Sequence, residues 1–327
     1  MLSDPIDISN RIRSGETLLL AAQEEVLRSL PAGNWIGGTI PYFMADSGGT
    51  VSREMVFATP APAECTSLEI RTYTTDRIHR ICQDAPDNGL TFLILPSASR
   101  IHMEFAQKAP DYEGMYLKPL VGWISGVHLD DLGRRPPKVV DGRNLTVHAD
   151  AGAALHCGLP PNLVARLGIV NLFAPGDGAV ITFPEGGFQV GRCLVDGVER
   201  VFADYLLERK VDTRLPLVAD YSGAMVNVSF KDVDFPNGIV KLYAPVFPGV
   251  DYRLARPVGD YMEEFRRKLP TDVRAAFSCN CILNFLYSGL EGKVTESMTG
   301  PVTFGEIACQ LLNQTLVYAS IESITAG

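Results

Sequence analysis

Residues 168–175 read GIVNLFAP and residues 238–245 read GIVKLYAP, six of eight positions identical and seventy residues apart. A pattern repeated at that distance restricts a chain to folds that use one supersecondary unit more than once. Beyond each copy comes a segment with helical apolar spacing, VERVFADYLLERK from Val198 and VGDYMEEFRRKL from Val258. Each leads into an apolar stretch of strand character, RLPLVADYSGA from Arg214 and RAAFSCNCILN from Arg274, which sets Asp220 against Asn280 and Tyr221 against Cys281. VFATP from Val56, a helix over 75–84 and LTFLILPSAS from Leu90 form a fainter third copy. The reading is an internally duplicated strand, helix, strand unit.

Upstream, Leu18, Leu19, Ala22, Val26, Leu27 and Leu30 recur at helical spacing and predict a helix over 15–30, stopped by Pro31 and Gly33. The Gly-rich NWIGGTIPYF and the runs VFATP, LEIRTY and LTFLILP read as strands. The expected fold class is α+β, with mixed β-sheets flanked by helices in two domains, 1–185 and 186–327. At 327 residues and 46% hydrophobic, the chain has room for both cores.

A net charge of −9 and a pI near 5.1 argue against nucleic acid, whose affinity depends on clustered Lys and Arg. No apolar run approaches the roughly 20 residues of a membrane helix, and residues 1–14 lack the basic start and apolar core of a leader. The expectation is a cytoplasmic protein without membrane insertion. Seven cysteines without a CxxC pair predict reduced thiols. Cys279 and Cys281 share a face on a strand, but no second pair or nearby His completes a metal set. The five histidines form no HxxxH or HExxH pair, and His156 beside Cys157 stands out only by adjacency. GDGAVITFPEGG from Gly176 lacks the GK[ST] ending of a phosphate loop, so it reads as a hairpin turn.

Each unit ends on small or polar residues: Ser97, Ala98 and Ser99; Asp220, Ser222 and Gly223; Ser278, Cys279 and Asn280. Strand ends of this kind either line a pocket or simply permit tight turns. Glu306 follows Gly305 in an expected turn, where its carboxylate either accepts a ligand amine or caps a helix over 307–312. Asn313, Gln314 and Thr315 precede an expected strand over 316–320, and their side chains either fix a polar ligand or satisfy the turn. Cys279 has no cation near it in sequence to stabilise a thiolate, so it is read as a neutral wall rather than a nucleophile. Two adjacent central strands would carry Cys279, Asn280, Glu306 and Asn313 to one edge.

From Gly300 the chain reads GPVTFGEIACQLLNQTLVYASI, preceded by AAFSCN from Ala275 and VDGVERVFADYL from Val195. These segments resemble, in order, the closing GEI and NQTLV motif, the FSC strand and the entry hairpin of the FIST C-terminal domain. NWIGGTIPYF and PLVGWISGVHLDD resemble Gly-rich strands of the FIST N-terminal domain. The chain departs from the family pattern in two places. It has little room before Ser14 for an opening strand, and Asn280, Cys281 and Leu283 stand where an arginine often follows FSC. The resemblance implies a sensory domain that binds an amino acid or similar small polar metabolite and signals through a separate protein. The residues expected at the ligand are Cys279, Asn280, Phe304, Glu306, Asn313 and Thr315. No cofactor is expected, with haem, as in one branch of the family, as the alternative. A hydrolytic or transferase enzyme at Cys279 and Glu306 is the second alternative, and a homo-oligomer is compatible with either.

Overall fold

Asp4 opens the first helix, Pro5–Arg13, by accepting from the N–H groups of Ile6 and Asp7 at 2.8 and 3.0 Å. Pro5 takes the first helical position, where no N–H is needed. Ile8 and Ile12 bury against Leu18, Leu20, Leu27 and Trp35. The helix expected over 15–30 is instead a strand, Leu18–Ala22, followed by a short helix, Glu24–Ser29. All five strand residues are buried, between a parallel neighbour, Trp35–Thr39, and an antiparallel one, Val56–Pro60. A strand covered on both faces is apolar throughout, and periodicity alone does not separate it from a helix.

The computed structural model describes residues 1–221, 224–270 and 273–324. The fold is α+β, with mixed sheets and short flanking helices. One compact unit combines Met1–Ile169, Pro270–Leu311 and Leu316–Gly327; the other combines Val170–Leu269 with Leu312–Thr315. The chain therefore does not part at residue 185. Thr315–Ser323 pairs antiparallel along Ala275–Cys281, so the FSC strand and the chain from Leu316 onward complete the unit that begins at the N-terminus.

In that first unit, one six-stranded sheet runs in the order Gln310–Leu312, Glu306–Ala308, Leu120–Ser125, Gly89–Pro96, Ala151–Gly158, Ser67–Thr74. Gly89–Pro96 and Leu120–Ser125 are parallel, and the flanking pairs are antiparallel. Another sheet orders Leu163–Asn171, Thr315–Ser323, Ala275–Cys281, Gly300–Thr303, Tyr42–Ala45, Gly48–Val51. The helix expected over 75–84 is a single 3-10 turn, Ile78–Arg80, after Thr74 bonds its hydroxyl to Asp76 at 2.6 Å. Short polar side chains that bond locally compete with helix formation. The helix expected over 307–312 is two short strands hinged at Cys309, whose φ of 59° is left-handed.

The second unit holds the three-stranded sheet Gly187–Val190, Ile239–Val246, Phe230–Asp234 and a larger antiparallel one around Leu217–Tyr221. The two copies of the repeated octapeptide sit in different settings. The first closes the strand Leu163–Asn171 beside Thr315–Ser323, whereas the second forms Ile239–Val246 between two antiparallel partners. Val198–Val201, expected to begin a helix, pairs with Arg192–Val195, and the helix starts at Phe202. Leu217–Tyr221 has two antiparallel neighbours, while Ala275–Cys281 has one parallel and one antiparallel. Alternating apolar residues suit any half-buried strand, so similar octapeptides do not require equivalent places. The expected hairpin at Gly176 also fails: Ile181–Thr182 and Gly187–Val190 belong to separate sheets. Ser222 and Gly223 lie outside the described residues.

Candidate functional site

Four of the six residues expected at a ligand gather in the first unit. Asn280 and Cys281 pair in parallel with Val302 and Thr303, and Thr303 donates its hydroxyl to the carbonyl of Asn280 at 3.3 Å and of Gly305 at 3.0 Å. Gly305 leads directly to Glu306, which pairs with Trp123 on the neighbouring strand. Phe304 is half-buried; its N–H bonds the Ile124 carbonyl at 3.0 Å, and its ring covers Gly126 so closely that a Cβ there would come within 2.4 Å.

Register partners in an antiparallel pair point to one face. Glu306 and Trp123 therefore share a face with Ser125, two residues along. Trp123 stacks on Phe277 with ring centroids 5.7 Å apart, and Cys279 lies two positions beyond Phe277 on the facing sheet. The result is a buried polar row between two apolar sheets. Glu306 is 0% exposed, Cys279 1% and Asn280 1%. Trp123 Nε1 and Ser125 Oγ are buried without a hydrogen-bond partner; Asn280, next to Cys279 on the strand, turns to the other face, where its Oδ1 accepts from Asn284 Nδ2 at 3.0 Å. Buried donors are normally satisfied, so two on one sheet face mark a place where the core is not built for packing alone.

The electrostatics fix the state of the thiol. Complete burial, and then the nearby Glu306 carboxylate, push Cys279 well above the ordinary thiol range, while a Thr303 hydrogen bond pulls the other way. The protonated Sγ donates to the Gly122 carbonyl at 3.4 Å. A thiol held in this form does not attack as a nucleophile.

Asn313 and Thr315 are grouped with the second unit. Asn227 donates to the Asn313 carbonyl at 3.1 Å and exchanges paired amide bonds with Asn171, both at 3.0 Å. Gln314 accepts from Ser229 at 2.7 Å and donates to the Arg214 carbonyl at 3.0 Å. These amides anchor the backbone where the chain re-enters a strand, which is the turn-satisfying role.

Trp123, Ser125 and Thr303 are the members that the sequence did not reveal. Trp123 and Ser125 read as alternating residues of an ordinary apolar strand, and only pairing with a distant segment turns them toward Glu306. His156 is buried, with Nε2 2.9 Å from the Tyr73 hydroxyl and Nδ1 2.8 Å from Thr91, so both ring nitrogens are engaged. Among the described residues, no group of three or more His, Cys, Asp and Glu is placed to hold a metal ion. Among them, no helix is long and apolar enough to cross a membrane.

No curated protein matches the chain. A family model matches residues 4–322, and the chain belongs to that family, DUF6976, a family of unknown function.

Proposed function

We propose that this chain is a cytoplasmic small-ligand-binding sensory module that takes an amino acid or similar small zwitterion at Glu306 and signals through a separate protein. The observation that carries this reading is a carboxylate with none of its surface exposed, set on one sheet face with the Trp123 indole N–H and the Ser125 hydroxyl. Taking a carboxylate out of water is costly, and a well-packed apolar residue serves stability as well or better. A cationic ligand group would give that burial a use. The protonated Cys279 supports binding over covalent catalysis. The FIST-like GEI and NQTLV segments support the same class of function.

Native mass spectrometry of protein taken directly from cells tests this. A small polar adduct is expected on the wild type. Glu306→Gln should weaken it by about 1.5–3 kcal/mol, the usual contribution of a hydrogen bond to a charged group, with the melting temperature little changed. A wild type that carries no adduct, together with a variant that melts far lower, would make Glu306 a structural residue and overturn the reading.

A further inference from the structure

A second group of polar residues lies apart from that row, on the edge strand Ser67–Thr74. Here Arg71, Arg77, Arg80 and Arg143, with Glu69 and Asp84, line a cleft of about 430 Å³. Two of the arginines are held in place. Arg71 bonds Glu69 at 2.6 Å and Asp84 at 3.0 Å, and Arg143 forks onto the buried Asp141 at 3.1 and 2.7 Å. The other two keep most of their donors. Arg80 approaches Asp84 only to 3.6 Å, too far for a hydrogen bond, and Arg77 has no ion pair among the described residues.

The floor of the cleft is fixed from inside. Tyr73 gives its single proton to Asp84 at 3.1 Å, so it accepts from His156 Nε2–H, and Nδ1 accepts from Thr91 at 2.8 Å. This buried chain sets Asp84, and through it Arg71, without help from solvent. Sites organised in advance lose less on binding than mobile side chains do.

We propose that this cleft binds the phosphate group of a small phosphorylated metabolite, with Arg77 and Arg80 as its principal donors. Every cation lining the cleft is an arginine, and the planar guanidinium fork matches two oxygens of a phosphate, which the point charge of a lysine does not. Within the lining itself four guanidiniums stand against two carboxylates, Glu69 and Asp84, while Asp141 and Asp76 offset Arg143 and Arg77 from outside it. The volume falls in the small-molecule range and leaves room for an organic body attached to the phosphate.

Isothermal titration in low-chloride buffer, with inorganic phosphate and pyrophosphate as probes, tests the proposal. Saturable one-site binding of pyrophosphate is expected. The double variant Arg77→Ala, Arg80→Ala should weaken it about tenfold or more, the scale of losing charged hydrogen bonds. Arg134→Ala, an exposed arginine outside the cleft, should change it by less than about twofold, as a surface charge away from the contact does. Glu306→Gln should leave it unchanged, which separates this site from the one proposed above. The proposal is overturned by an absence of saturation with either phosphate probe. It is equally overturned by a double variant that binds like the wild type, by an equal loss in Arg134→Ala, or by citrate binding more tightly than pyrophosphate.

Discussion

Replacing Gly122 by alanine is expected to keep the first unit from assembling its central sheet. A Cβ at this position would lie 1.8 Å from the carbonyl oxygen of Leu93 and 2.7 Å from its carbon. Leu93 is the partner of Gly122 in the parallel ladder, and the strand is also paired on its other side with Glu306–Ala308. Side chains that meet an added methyl can rotate away at about 1–3 kcal/mol, but a paired backbone carbonyl has nowhere to go. The cost should therefore exceed about 4 kcal/mol, a large part of the 5–15 kcal/mol that typically holds a domain together. Thermal melts of Gly122→Ala and Gly178→Ala compare the two extremes, since nothing lies within 4 Å of a Cβ at Gly178. A Gly122→Ala protein that melts with the wild type would show that the two strands are not packed this closely.

Acid should destabilise the fold through His156 by nearly as much. Burial first, and the charge of Arg71 second, push this imidazole down to about 4 from an ordinary value of 6.5, while Glu69 and Asp84 oppose the shift. The folded protein holds the ring neutral, and the unfolded chain takes up a proton below pH 6.5. The stabilisation is thus complete above pH 6.5 and is lost progressively as the pH falls toward 4. A shift of this size corresponds to about 3 kcal/mol. Denaturant unfolding at pH 7 and pH 4.5 should show the loss in the wild type in excess of that in His156→Gln, which has no ring to protonate. Equal losses in the two proteins would remove His156 as the cause.

Runs such as LTFLILP and LVGWIS announce their strands because covered β-structure is continuously apolar, and both occupy the centre of a sheet. The same property misled at Leu18–Ala22, where five apolar residues happen to fall in phase with a helical stripe downstream. Cys309 gave no warning of its left-handed backbone, because a cysteine has no particular preference for that region. Cys279 and Asn280 come near Phe304 and Glu306 through the parallel pairing of Ala275–Cys281 with Gly300–Thr303, which the apolar character of both segments suggested but did not specify. Trp123 and Arg143 were not legible, because each reaches its place through strand pairing with segments far away in the chain. The arginines at 71, 77 and 80 looked like parts of a strand and then a helix, elements that would have spread them out. The tight turn at Ile78–Arg80 brings them to one cleft.

The interleaved composition of the first unit has a bearing on its birth. Synthesis runs from the N-terminal side, so the ribosome releases all of Val170–Leu269 before it makes Ala275–Cys281 or Thr315–Ser323. Those two strands fill the middle of a six-stranded sheet, with Leu163–Asn171 on one side and Gly300–Thr303 on the other. Until they arrive, the nascent chain carries open strand edges and a half-covered apolar face, the features that invite association with other chains. Nearly the whole of the second unit's sequence is free to fold during that interval. The N-terminal half cannot close this sheet until Ala275–Cys281 and Thr315–Ser323 are made.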